Sequence, residues 1–485
     1  MLPPRVLVPL IVACALFMEN LDSTVLATAL PAIARDIGAD PIRLKLALTS
    51  YLLSLAVFIP ASGWMADRFG ARSVFRLAIA VFMLGSIFCG LSSTMGEIIA
   101  ARIVQGMGGA MMVPVGRLVI LRTVPKSELV GSLAWLTIPA LIGPVVGPPL
   151  GGFITTYFHW RWIFWINLPI GVLGLILATM FIPNVRGEEQ TRFDTIGFIL
   201  SGIGMASFVT GSTAIGLNIL PIPLVVLLLL CGATLLTTYV FYARRVPNPI
   251  LDLSLFRIPT FRISITGGSL FRIGIGAIPF LLPLLFQLGF GMTPFQSGML
   301  TFAASLGAMA MKFAAPPILR TLGFRTVMVT NAIIASLFVA APIFFTTATP
   351  GAIVLAVLLA GGFFRSLQFT SVNALGYSDV SQLQMSRATS MTSVAQQVSL
   401  SVGVSIAALT LETSLKLRGD HTLIISDFTP AFIVVAVVSA LSVFAFARLK
   451  PNAGAEVSGH RRKTVSEEGD ELIADDPIIE ARERG

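Results

Sequence analysis

Two carboxylates, Glu19 and Asp22, lie inside an apolar run from Val6 to Leu30. A charge at hydrocarbon depth costs kilocalories unless it is paired, hydrated or neutralised. Desolvation disfavours the ionised form of a carboxyl, so an acid held there is suited to taking and releasing protons. Proton carriage is the first chemistry these residues suggest, with plain hydrogen bonding to neighbouring helices as the alternative. A third charge, Arg102, begins the run Ala101 to Ala110 and needs a carboxylate, a cluster of carbonyls or a water path. Snorkelling to a nearby membrane surface is its simpler explanation.

Positioning such groups takes a membrane-embedded scaffold. The 485 residues are 55% hydrophobic and 12% charged, and the mean hydropathy is +0.87; a soluble surface does not tolerate that composition. Apolar stretches of about 20 residues recur fourteen times, starting near Val6, Leu44, Val74, Ile98, Gly131, Trp162, Ile196, Pro221, Ile263, Phe295, Thr326, Ala352, Ala388 and Phe428. Lys and Arg concentrate in alternate connections, among them Arg5, Arg68, Arg72, Arg117, Lys126, Arg244, Arg245, Arg320 and Arg387, whereas Arg35, Arg43, Lys45 and Arg161 fall in the sparser set. That bias places both termini in the cytoplasm of a multi-pass protein of the cell (inner) membrane. The net charge of +9 then reflects topology and anionic lipid rather than nucleic acid. The first span is too long and too acidic for a cleaved signal. Cys14, Cys89 and Cys231 all fall in spans and imply no disulfide framework.

The fold class expected is all-α membrane protein with 14 transmembrane helices. Residues 1–183 form a six-helix bundle. Residues 184–262 form a linker with two extra transmembrane helices and an amphipathic segment, Pro247 to Arg262, lying on the membrane surface. A second six-helix bundle spans 263–450, and a disordered cytoplasmic tail spans 451–485. Two similar halves around a central site are the general plan of secondary transporters.

Three further stretches suit a moving machine. Gly63 and Gly70 allow a tight turn around Asp67, Arg68 and Arg72, a charged clasp able to hold two helices in one conformation. Gly143, Gly147 and Gly151 recur every fourth residue and make a bare helix face, with Gly152 beside it, while Pro144, Pro148 and Pro149 bend the same span. His159-Trp160-Arg161-Trp162-Ile163-Phe164-Trp165 sets three tryptophans at a boundary as an aromatic belt.

Gly63 to Arg72 resembles the inner-loop signature of the major facilitator superfamily, with Met65, Ala71 and Arg72 departing from it. Arg102 to Gly109 resembles its fourth-helix motif, in which the arginine is tied to proton transfer. Gly143 to Gly152 resembles the antiporter motif of its drug:proton exporters, the earlier glycine being Ala134 here. Leu21 to Pro31 and His159 to Gly171 resemble the fourteen-span drug:proton antiporter family, the multidrug-resistance exporters. The resemblance implies alternating access, with Asp22 and Glu19 carrying the proton, Arg102 tuning them, Gly63, Asp67, Arg68, Gly70 and Arg72 as inner gate, and the kinked fifth span as moving interface.

Gln105, Arg272, Arg365 and Gln368 are candidates for the substrate cavity, with Lys312 a further basic group in or near the membrane and Asn373 further along the span of Arg365. Arg102, Arg272, Lys312 and Arg365 outnumber the intramembrane acids Glu19 and Asp22, which suits an anionic or neutral substrate better than a dication. The chain has no GxxxxGK[ST], HExxH or GxSxG, and His159, His421 and His460 are dispersed. No enzyme activity, metal or cofactor is expected; the proton gradient is the energy source. The expected function is proton-coupled export of small amphipathic organic compounds or drugs. A dedicated transporter of an organic anion or metal chelate is the rival, and a membrane scaffold acting through its tail is a remote one. Expected partners are substrate, protons and lipid, with a periplasmic adaptor in a two-membrane cell and no nucleic acid.

Overall fold

A computed structural model describes residues 4–123, 129–184, 186, 192–214, 220–381, 384–419 and 422–459. The first half comprises α1 (Pro4–Asp36), α2 (Lys45–Phe69), α3 (Ala71–Leu91), α4 (Met95–Thr123), α5 (Leu129–Tyr157) and a last crossing shared by α6 (Trp162–Trp165) and α7 (Asn167–Phe181). Next come α8 (Thr195–Ala214) and α9 (Ile222–Ala243). The second half holds α10 (Pro259–Gly276), α11 (Ile278–Leu284), α12 (Pro294–Ala340), α13 (Gly351–Ser378), α14 (Met385–Arg418), α15 (Ile425–Ala440) and α16 (Ser442–Phe446), and a short α17 (Ala455–Ser458) follows. No strand occurs among the described residues.

Local chemistry sets these boundaries. Glu97 accepts from Ser93 N at 2.7 Å while Thr94 Oγ1 accepts from Glu97 N, a reciprocal cap that starts α4. Thr293 and Gln296 cap α12 in the same way. Gly419, at φ 71°, ends α14 in the left-handed conformation. Pro279 and Pro283 deny backbone donors to the crossing that α10 begins, which breaks at Ala277 and closes in a π-helical turn, Leu285–Gly289.

Twelve helical stretches of the described residues are long and apolar enough to cross a membrane. The longest, α12, runs 47 residues and turns at Gly323 (φ 71°, ψ 161°); at about 1.5 Å per residue it is two crossings long. α5, at 29 residues, is also of spanning length. Counting α5 and both arms of α12 reaches the fourteen expected.

Each half forms its own bundle, α1 against α5 and α3 against α4 in one, α12 against α13 and α10 against α14 in the other. They meet along α2 with α14 and along α5 with α12. The two extra helices pack on each other, and α8 touches both α2 and α14. Thr213 and Ser405 share a hydrogen bond of 2.8 Å there. The segment around residues 247–262 folds back onto the protein. Leu251 and Leu255 are buried, Tyr239 Oη donates to Leu251 O, and Asp252 pairs with Arg387 of α14 at 3.0 Å. Residues 451–459 are turns and α17, with Gly454 against Phe324 and Leu375; the rest of the tail, 460–485, lies outside the described residues.

Candidate functional site

Asp22 sits in the middle of α1 and is 3% exposed. Its Oδ2 accepts from Arg102 Nη1 of α4 at 2.5 Å. Its Oδ1 accepts from Gln105 Nε2, one turn further along α4, at 2.9 Å and from Asn167 Nδ2 at the start of α7 at 2.8 Å. Ser86 Oγ of α3 accepts from the same two amides at 2.7 and 3.1 Å. Arg102 Nη1 also donates to Gln105 Oε1, and its Nε donates to the Ala47 carbonyl of α2 at 3.2 Å. Its guanidinium carbon lies 4.1 Å above the Tyr51 ring. Five helices thus converge on one fully desolvated acid–base pair.

The expected link between Asp22 and Arg102 is therefore direct, and snorkelling is not what Arg102 does: it is 0% exposed. Gln105, expected on a cavity wall, is a buried member of this network. Glu19 stands beside Tyr51, with Oε2 buried and without a hydrogen-bond partner, and within electrostatic reach of Asp22. Ser86 and Asn167 were not singled out from sequence. Asn167 lies within the motif His159 to Gly171, which is the signal that points to it; a lone serine in an apolar helix gives none. Cys14, Cys89 and Cys231 are free thiols, and among the described residues no group of three metal-ligating side chains comes together.

The glycine face of α5 packs on the turn of α1 that carries these acids. A Cβ at Gly143 would meet Phe17 O at 3.0 Å, one at Gly151 would meet Val25 O at 2.9 Å, and one at Gly147 would overlap Thr24 Oγ1. The neighbouring side of α5 faces the other half. Gly152 adjoins Pro294 and Phe295 of α12, Gly298 adjoins Pro148, and Thr156 Oγ1 accepts from Phe295 N at 3.0 Å. Gln287 Nε2 donates to Thr28 O of α1 at 2.9 Å across the same junction.

At the end of the bundle carrying Trp160, Asp36 accepts from Trp160 Nε1 at 2.8 Å and from Arg161 at 3.1 Å, and Arg161 also reaches Ser92 O. Trp160 is 4% exposed, so it is a clasp and not part of a belt; only Trp162 of the three is exposed. Lys45, read as a loop charge, is instead fully buried at the start of α2 with Nζ unpartnered, within electrostatic reach of Glu412 of α14. At the opposite end the α2–α3 turn is made by Gly70 alone (φ 93°), with the Asn184 side chain where a Cβ would stand. Gly63 is an ordinary helical residue in α2, contrary to expectation, with open space beside it. Asp67 lines a recess with Arg192, Asp194, Asn248 and Arg387, and Arg72 Nη1 donates to Ile182 O at 3.4 Å.

In the second half, Arg272 is 1% exposed and its Nη2 donates to Asn373 Oδ1 at 2.6 Å. Arg365 is half-buried against α11 and α12. Gln368 is fully buried and bonded to Asn331 and Met328 O, so it braces α12 against α13 and does not face a cavity.

Residues 12–404 match the Major Facilitator Superfamily. The chain is 38% identical over 461 residues to the putative multidrug resistance protein MdtD of Escherichia fergusonii, with 93% of this chain and 96% of that one covered. It is 38% identical over 460 residues, at the same coverage, to the protein of that name from Escherichia coli O157:H7. Its fold is similar to that of a D-xylose-proton symporter, with a TM-score of 0.67 and 12% identity over 92% of this chain and 98% of that one. It is also similar to the nucleoside transporter NupG, with a TM-score of 0.57 and 13% identity over 93% and 100%. With a family match along most of its length and relatives aligned nearly end to end, the chain belongs to the Major Facilitator Superfamily and is a multi-pass membrane transporter rather than an enzyme.

Proposed function

We propose that this transporter exports small amphipathic organic compounds from the cytoplasm across the inner membrane in exchange for protons. Both termini are cytoplasmic in this reading and no cofactor takes part. The observation that carries it is the buried network around Asp22. An ionised Asp22 is satisfied by one guanidinium and two amides. When it takes a proton, Arg102 keeps its charge but loses its counter-charge, and retains only Gln105, the Ala47 carbonyl and the Tyr51 ring. An unpaired buried charge is strongly unfavourable, so protonation favours a conformation in which α1, α2 and α4 shift to rehydrate Arg102. Because α5 is threaded by its glycines between that turn of α1 and α12 of the other half, the shift is passed to the junction between halves, and deprotonation reverses it. Export and drug breadth take further support from the multidrug resistance name of the relatives. The test is proton uptake into compound-filled vesicles holding the purified protein. Asp22→Asn should abolish it, and unchanged proton dependence in that variant would exclude Asp22 as the coupling group.

A further inference from the structure

From Leu253 to Ser378 the sequence contains no Asp or Glu. This stretch builds α10 to α13, and three of its cations are buried or half-buried among those helices. Arg272 of α10 leaves Nε and Nη1 buried without partners, beyond its bond to Asn373, and its guanidinium lies 5.1 Å from the Phe369 ring. Among the described residues Lys312 of α12 donates only to Thr370 Oγ1, at 2.8 Å. Arg365 stands one turn before Phe369 on α13, the same helix that supplies Thr370 and Asn373. None of the three forms an ion pair among the described residues. Buried cations are tolerated when paired, and no carboxylate of this region can pair them.

We infer that Arg272 and Lys312, flanking Phe369, Thr370 and Asn373 of α13, form a subsite for the anionic group of an amphipathic organic anion, a carboxylate or sulfonate, with Phe369 against its apolar body. The inference rests on the exporter reading and names its substrate class. The neutral acceptors Asn373 and Thr370 hold the two cations in place while the site is free, and the anion supplies the missing counter-charge. Arg365 adds a longer-range field one turn away. The same chemistry would hold an anionic lipid headgroup, so the test separates the two.

Two probes with one fluorophore and opposite charge, dansylglycine and dansylcadaverine, are titrated onto the full-length protein in phosphatidylcholine nanodiscs. The carboxylate should bind more tightly than the amine. Arg272→Gln and Lys312→Gln should each weaken dansylglycine about tenfold without weakening dansylcadaverine, and Arg272→Lys should recover part of the loss. Lys312→Gln, at a half-buried position, carries the test if Arg272→Gln does not fold. Equal or tighter binding of the amine, or dansylglycine binding unchanged in folded Arg272→Gln and Lys312→Gln, overturns the inference. Loss of dansylglycine binding when phosphatidylglycerol replaces phosphatidylcholine assigns the site to lipid and overturns it too. Proton movement driven by dansylcadaverine and lost in Asp22→Asn would leave the exporter reading standing while the anion subsite falls.

Discussion

At the scale of residues, Arg102 and Asp22 are worth most to each other. Removing one partner leaves a buried charge, which costs roughly 3–5 kcal/mol, whereas removing both can be nearly neutral. Arg102→Met should therefore lower the melting temperature of the purified protein sharply, and Asp22→Asn with Arg102→Met should restore much of it. Melting of the double variant below that of Arg102→Met would contradict the pairing. This pairing was readable in the sequence because a charge inside an apolar helix demands a partner, and the chain offers few acids in its spans. Ser86 and Asn167 were not, since a neutral polar side chain bonds locally at little cost and need not announce a partner. For the same reason Gln105 and Gln368 were placed on a cavity wall when both are buried braces. Lys45 was misread because it stands at the helix edge in sequence yet inside the protein in space.

At the scale of elements, α5 works through what its glycines lack. Alanine at Gly147 would overlap Thr24 Oγ1 and at Gly298 would overlap Pro148 O, whereas at Gly143 the closest approach is 3.0 Å. Overpacking costs about 1–3 kcal/mol, so Gly147→Ala and Gly298→Ala should destabilise the protein and slow transport more than Gly143→Ala. Equal effects at all three would mean that close helix approach is not what the glycines provide. Gly70→Ala combines a positive φ with the crowding of Asn184. It should lower thermal stability by at least about 1 kcal/mol, while Gly63→Ala, with open space around it, should not. The fourfold glycine spacing was legible; its partner was not. Periodicity reveals that a face is bare, and only the packed bundle reveals that it serves α1 while the adjacent face meets the other half.

At the scale of the whole molecule, the halves are tied at the Trp160 end by α5 against α12 and at the other end partly through the linker. There Asp252 accepts from Ser254 N and Arg387. Burial alone would raise its carboxyl, but those hydrogen bonds outweigh it and hold it below the usual carboxylate range. A depressed value means stability that is present above the ordinary carboxylate range and lost as the pH falls through the lowered one. Arg387 is 42% exposed at its side chain, so the pair contributes about 1 kcal/mol or less. Arg387→Ala should melt slightly below the native protein at neutral pH and converge with it once Asp252 is protonated. A gap that persists unchanged in acid would assign Arg387 another role. The six, two, six layout was legible because hydropathy counts crossings directly. The docking of residues 247–262 was not, because the alternation of Leu251, Leu253 and Leu255 with charges suits a lipid surface as well as a protein groove. The central claim remains that Asp22 couples protons to export. The most direct measurement is proton uptake into compound-filled vesicles with native and Asp22→Asn protein side by side. The account predicts uptake with the native protein and none with the variant; uptake that is equal in both would contradict it.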